Sequence, residues 1–149
     1  MTENKKLKIA FLTSNDARDK KSYSGTHYYM GQALIRNGFD VTFIGPLKVW
    51  DLFFGKVLNQ LSKFFLRKKF RYLHSIYFSK RFSREAERKL YGKNFDFIYA
   101  PAASKEIAFL KTKIPIVYNS DCTWKLLNNY YSKFSAILPL SIRQGHEIE

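Results

Sequence analysis

One cysteine, few acids and no long apolar run narrow the field before any motif is considered. Cys122 stands alone, which excludes an intramolecular disulfide and any multi-cysteine metal site and suits a reducing cytoplasm. Asp and Glu number 12 against 26 Lys and Arg, leaving a formal charge of +14. That balance attracts a polyanion: an anionic lipid surface, a nucleic acid or a phosphorylated substrate. The N-terminal apolar stretch, Leu7 to Leu12, contains Lys8 and is followed by polar residues, so it is neither a signal peptide nor a membrane span. No Gly-x-Gly-x-x-Gly follows it and no Walker lysine motif occurs, so dinucleotide and P-loop readings lack their defining residues. His27, His74 and His146 are scattered without metal-ligand spacing, and no metal is expected.

What is present is a globular composition, 46% apolar and 17% aromatic over 149 residues, enough for the core of one domain. Leu7 to Leu12 reads as a buried strand and the polar stretch Thr13 to Ser24 as a long loop after it. Helical spacing begins past Gly25, with Tyr29, Met30, Ala33, Leu34 and Ile35 at three- and four-residue steps and Asn37-Gly38 as the stop. Val41 to Ile44 is a second strand, closed by Gly45-Pro46. Such a β-loop-α-β opening implies parallel strands and a right-handed crossover.

The pattern returns at Phe95 to Ala100, a strand broken by Pro101, then a short helix from about Lys105 to Leu110 and a strand at Ile114 to Tyr118. Ser120 or Asp121 can cap a helix through Trp124, Leu126 and Leu127. Ala136 to Leu138 reads as a further short strand, and Ser141 as the cap of a last helix. The expected fold is α/β, a Rossmann-like three-layer domain with a mainly parallel sheet. His146-Glu147-Ile148-Glu149 carries no cap, glycine or proline, so the end reads as a truncation within the pattern.

Residues 53–93 form a basic amphipathic helical segment without proline. Phe54, Val57, Leu58, Leu61, Phe65 and Tyr72 fall on one side of a 3.6-residue helix, and Lys56, Lys63, Arg67 and Arg71 on the other. Such a segment can lie on anionic lipid, with Lys63, Arg67, Lys68, Lys69 and Arg71 as the contacts, or pack its apolar side on the sheet and leave its charges solvated.

Ligands of open α/β sheets bind at the carboxyl ends of the strands. The first loop ends in Ser24-Gly25-Thr26-His27, a glycine and two hydroxyls at a helix start, where free amides and the dipole favour phosphate. An ordinary backbone turn accounts for such a glycine equally well, and His27 reads as an exposed first-turn side chain. After the strand ending at Tyr118, Ser120 and Asp121 stand at a helix head. Asp121 can act there as a general base or steady a positively charging sugar ring, or cap the helix. In the loop Pro101 to Ser104 only Ser104 is reactive, as a helix cap with a binding contact.

Together, Lys8 to Leu12, Ser24-Gly25-Thr26 with Tyr28-Tyr29-Met30, and Gly38-Phe39-Asp40-Val41 resemble the opening of glycosyltransferase family 4. Phe95 to Pro101, Pro115 to Tyr118 with Ser120-Asp121, Tyr130-Tyr131 with Phe134-Ser135, and Ile148-Glu149 resemble that domain's later segments in order. The resemblance covers nearly the whole chain, weakly from Trp50 to Leu90. It implies residues 1–149 as the N-terminal, acceptor-side half of a GT-B enzyme, incomplete at the C-terminus. The full enzyme would transfer a hexose, with retention, from a nucleotide-diphosphate sugar to a glycan or lipid-linked acceptor, without an obligatory metal or a cofactor in this domain. It implies Gly25 and Thr26 near the donor diphosphate, Ser24, His27, Ser104 and Ser120 near substrate, and Asp121 where members often carry a histidine. It also implies a missing C-terminal donor-binding domain, on the same or a separate chain, inactivity of this chain alone, and a cytoplasmic location, peripheral at the inner face of the membrane.

Two other readings differ in class. A nucleic-acid-binding protein could use the basic stretch with Phe70, Tyr72, Tyr77 and Phe82 as stacking platforms, though no nucleic-acid module signature occurs. A signalling receiver needs an aspartate where Tyr99-Ala100-Pro101 ends the third strand.

Overall fold

The computed structural model describes residues 6–149; residues 1–5, with the start of the polar N-terminus, lie outside it. Four short strands, β1 (Lys8–Phe11), β2 (Asp40–Phe43), β3 (Phe97–Pro101) and β4 (Ile116–Asn119), pair in an all-parallel sheet of order β2-β1-β3-β4. Phe11 stands opposite Phe43 on one side and Tyr99 on the other, and Tyr99 opposite Val117. Among the described residues six α-helices accompany the sheet: α1 (Thr26–Arg36), α2 (Leu52–Leu66), α3 (Ile76–Leu90), α4 (Ser104–Ile107), α5 (Trp124–Leu127) and α6 (Pro139–Ile148).

Strand alternation sends neighbouring side chains to opposite faces of the sheet. Phe11 joins Phe43 and Tyr99, each ring centroid 5.4 Å away, on the face that α1 covers. Ala10, Leu12, Ile98 and Ala100 turn the other way and meet Phe78, Phe82, Ala86 and Leu90, the buried stripe of α3 at four-residue spacing. The molecule is therefore the Rossmann-like three-layer α/β domain that the strand pattern implies. Burial of each large side chain in this core stabilises it by about 1.5–3 kcal/mol. Ser75 starts α3 as a true cap, its hydroxyl accepting from the Phe78 N–H at 3.3 Å.

Residues 53–93 do not make one helical segment. Arg67 takes a left-handed conformation (φ 51°) and ends α2, and a 3-10 turn at Tyr72–His74 precedes α3. Between them Lys69 donates its backbone N–H to the Ala136 carbonyl at 2.7 Å and accepts from the Leu138 N–H at 3.0 Å. The expected strand at Ala136 to Leu138 is thus a single bridge to Lys69 and not part of the sheet. α6 starts at Pro139, whose fixed φ and missing N–H suit a first helical position. Ser141 does not cap it: the side chain is buried, and its hydroxyl accepts from the Arg71 N–H at 3.1 Å. Among the described residues, no helix is long and apolar enough to cross a membrane.

Candidate functional site

At the carboxyl edge of the sheet, the loops after β1, β3 and β4 and the head of α1 enclose a cavity of about 580 Å³. His27, Ser104, Ser120 and Asp121 all line it, so the structure brings together four of the candidate residues. A smaller adjoining cavity of about 200 Å³ is lined by Thr26, His27, Ser120 and Asp121, with Tyr23 and Met30. Ser24 and Gly25 line neither space; Ser24 is exposed and Gly25 lies beneath the Lys20 carbonyl and the Tyr29 ring.

The glycine loop is shaped by three successive left-handed residues, Tyr23 (φ 50°), Ser24 (φ 55°) and Gly25 (φ 79°). Only the glycine adopts this conformation freely, while each L-residue there costs about 1–2 kcal/mol. The turn lays the Tyr23 ring flat on His27, centroids 4.2 Å apart and planes within 4°. His27 is therefore buried, not the exposed first-turn residue expected, and packs edge-on to Phe11 below. Burial pushes its pKa down, against upward pulls from Glu106 and the Pro101 carbonyl, and neither buried ring nitrogen makes a well-aligned hydrogen bond. At neutral pH it is an uncharged imidazole. The Tyr23 hydroxyl is pushed up, first by burial and then by the Asp121 carboxylate nearby.

Asp121 and Ser120 do not cap α5. Thr123 does so, its hydroxyl accepting from the Leu126 N–H, while Ser120 donates its hydroxyl to the Cys122 carbonyl at 2.8 Å. The Asp121 carboxylate is left exposed at the cavity mouth with no hydrogen bond to the described residues. Ser104 is likewise the first residue of α4 and not its cap, which is Ala103.

Glu106 is the site residue that the pattern of the third loop hides. The loop pattern points to nothing reactive past Ser104, yet α4 turns Glu106 inward until its side chain is 1% exposed. One carboxylate oxygen meets Lys105 Nζ at 2.6 Å and the other has no partner. Lys105 also reaches the Ser14 hydroxyl at 3.4 Å, tying the first loop to the third. The one available signal was an acid within a turn of a strand's carboxyl end.

Two of the five basic contacts proposed from sequence are half-buried and engaged within the protein. The Arg71 guanidinium is held 4.5 Å over the Phe134 ring, its Nε is buried without a partner, and burial pushes its pKa down. Lys69 spends its ammonium on the Ser132 carbonyl at 2.5 Å. Lys63, Arg67 and Lys68 are exposed. Of the four aromatics interleaved with basic residues, Phe82 is buried and Phe70 and Tyr72 are half-buried, which leaves Tyr77 alone exposed as a stacking surface.

His74 closes the far wall, stacked on Trp124 with centroids 4.5 Å apart. Burial first, and the charges of Lys105 and Arg71 next, lower its pKa to about 3. Because the folded value lies below the unfolded one, near 6.5, the unfolded chain takes up a proton that the folded chain refuses. Stability is then complete above pH 6.5 and is lost as the pH falls toward 3. By pH 5 this one group removes about 2 kcal/mol. Chemical unfolding at pH 7 and pH 5 checks it: His74→Phe, which keeps the stack, should lose that much less on acidification than the parent chain.

No protein-family model matches the chain, and no curated protein or solved structure matches it. The chemistry open to the cleft is accordingly that of its own groups. An exposed carboxylate at the mouth and two serines share the lining with the cations Lys105, Lys133 and Arg71, and the unpartnered atoms of Glu106 and His27 lie buried in the wall. A lining of mixed acceptors and donors suits a polar, polyhydroxylated ligand. Among the described residues, no three His, Cys, Asp or Glu side chains converge as a metal cluster would.

Proposed function

We propose that this chain is the acceptor-binding half of a retaining glycosyltransferase of GT-B type, related to glycosyltransferase family 4. One observation carries the proposal: Asp121, freed from capping by Thr123, faces the same cavity as His27, Ser104, Ser120 and the buried Glu106. A sugar hydroxyl entering there meets a base at the mouth and hydrogen-bond acceptors behind it. Asp121 would accept its proton or steady the positively charging ring, and Ser104, Ser120 and His27 would orient the acceptor. Ser24 and Gly25, outside both cavities, and Thr26, lining the smaller one, would face the donor's diphosphate at the head of α1.

The nucleotide-diphosphate sugar itself would sit in a second, donor-binding domain, and this chain alone would not transfer. The side chains of β4 support such a neighbour. Ile116, Val117 and Tyr118 are 37–47% exposed on an edge strand, an apolar surface that further polypeptide would cover. The acceptor would be a glycan or a lipid-linked sugar, presented at the cytoplasmic side of a membrane.

The test is hexose transfer by the chain supplied with its donor domain, using a panel of nucleotide sugars and glycan acceptors. Activity that requires both halves and fails with Asp121→Ala supports the proposal. Transfer unaffected by that substitution, or none with any donor, counts against it. Filter binding at physiological salt separates the nucleic-acid alternative, which predicts retention of RNA or DNA without any sugar chemistry.

A further inference from the structure

α2 is mounted with its apolar side outward. At 100° per residue, Gly55 and Ser62 fall on one face, and these are the helix positions buried against the protein. Gly55 is there because nothing larger fits: a Cβ would lie 2.5 Å from the Tyr72 ring and 2.9 Å from Phe78. The close approach of this small-residue face turns the large residues away. Phe53, Val57, Leu61 and Phe64 fall on the far side, and Phe54, Phe65 and Leu58 continue the apolar arc round one flank, with Phe64 79% and Phe65 72% exposed.

Trp50, 84% exposed, precedes the helix. Beside the arc runs an apolar groove of about 400 Å³, floored by Leu58, Leu61, Phe65, Phe70 and Leu138. Of the two readings of this segment, packing of its apolar side on the sheet is not what α2 does, and the exposed face is far more apolar than a solvated helix needs.

Charge identifies what covers it. Lys56, Lys63 and Arg67 fall in one row along the border of the arc, Lys68 follows, and α2 contains no acidic residue. An aromatic face bordered by cations, on a chain of formal charge +14, matches a surface that is apolar below and anionic above. A second copy of the chain would set the same cations against one another. We infer that α2 docks this protein on an anionic phospholipid bilayer, with Phe64, Phe65 and Trp50 entering the acyl boundary and Lys56, Lys63, Arg67 and Lys68 held at the headgroups. The inference rests on α2 alone and holds whatever the cleft binds.

Vesicle sedimentation with phosphatidylglycerol, and with phosphatidylcholine as the neutral control, tests it. The chain is expected to sediment with the anionic vesicles and not the neutral ones. Phe64→Ser with Phe65→Ser should weaken partitioning about tenfold or more, and Lys63→Gln or Arg67→Gln about fivefold each, following the ~1 kcal/mol that each cation contributes near such a surface. Both phenylalanines are exposed, so far-ultraviolet circular dichroism of the double variant should match the parent. Fluorescence gives an independent measure: acyl-brominated phosphatidylglycerol should quench Trp50, and Trp50→Phe should remove that quenching while buried Trp124 stays unaffected.

Equal binding to neutral vesicles, full binding by the double phenylalanine variant, or no sedimentation with phosphatidylglycerol would overturn the inference. So would a dimer in sedimentation equilibrium that the same double variant abolishes, because the face would then belong to a second copy.

Discussion

Replacing Gly45 by alanine is expected to destabilise the fold by about 3 kcal/mol and to lower Tm by about 6–12 °C. The reason is space at a point where nothing can move aside. An added Cβ would overlap the Asn15 carbonyl oxygen and lie 2.7 Å from that of Thr13 and 2.9 Å from the Thr13 hydroxyl. The first two are backbone atoms, so the clash is relieved only by shifting one chain segment against another. Both segments are fixed. The Thr13 hydroxyl donates to Asn15 at 2.8 Å, and the Leu47 N–H donates to the Ser14 carbonyl at 2.9 Å.

Thr13, Ser14 and Asn15 also line the main cavity, so a tolerated alanine would still displace part of its wall. Gly38 is the contrast. Its φ of +88° strains any L-residue, but a Cβ there meets nothing within 4 Å, and alanine should cost only about 1 kcal/mol. Thermal unfolding followed by circular dichroism measures both. Equal, small shifts would show that the first loop gives way more easily than its hydrogen bonds suggest.

Asp121→Ala, measured with the donor domain present, is expected to lower hexose transfer by about 10²–10³-fold, the usual worth of a positioned base or electrostatic stabiliser. Asp121→Asn should behave alike, because an amide keeps the shape and loses both the charge and the basicity. Ser120→Ala, which removes one orienting hydroxyl, should cost under about tenfold. Stability separates these effects from misfolding. Asp121 is exposed and caps no helix, so Tm should hold in both aspartate variants. A loss of activity that tracks a loss of Tm would make Asp121 structural.

Much of this was legible in the residues, for identifiable reasons. The strands are short β-rich runs ended by breakers or polar loops; β1 and β3 are buried on both faces, while β2 is half-buried and β4 is an exposed edge. α1 announces itself by Gly25 at its head and Asn37-Gly38 at its end. The division between α2 and α3 was not legible, because Arg67 takes a left-handed turn with neither glycine nor proline to mark it, and the bridge from Lys69 to Ile137 is non-local. For α2 the periodicity located the apolar stripe but not which side faces the protein. Gly55 and Ser62 decide that, through a close approach that no hydrophobicity pattern records.

At the site, Asp121, Ser120, Ser104 and His27 could be found by their place after strands. Glu106 shares that placement, but its burial was hidden, since a charged residue in a four-residue helix usually faces water. The burial of His27 was equally hidden, because it depends on Tyr23 taking a conformation that the sequence does not favour.

The central claim is that the cleft beside Asp121 receives a sugar, and backbone amide chemical shifts of the ¹⁵N-labelled chain titrated with methyl hexosides and short oligosaccharides test it most directly. At least one hexoside should move the amides of Thr26, His27, Ser104, Glu106, Ser120 and Asp121 together and saturably, leave α2 unmoved, and lose its effect in Asp121→Ala. Shifts confined to other faces of the molecule, or no shifts with any sugar at millimolar concentration, would contradict it.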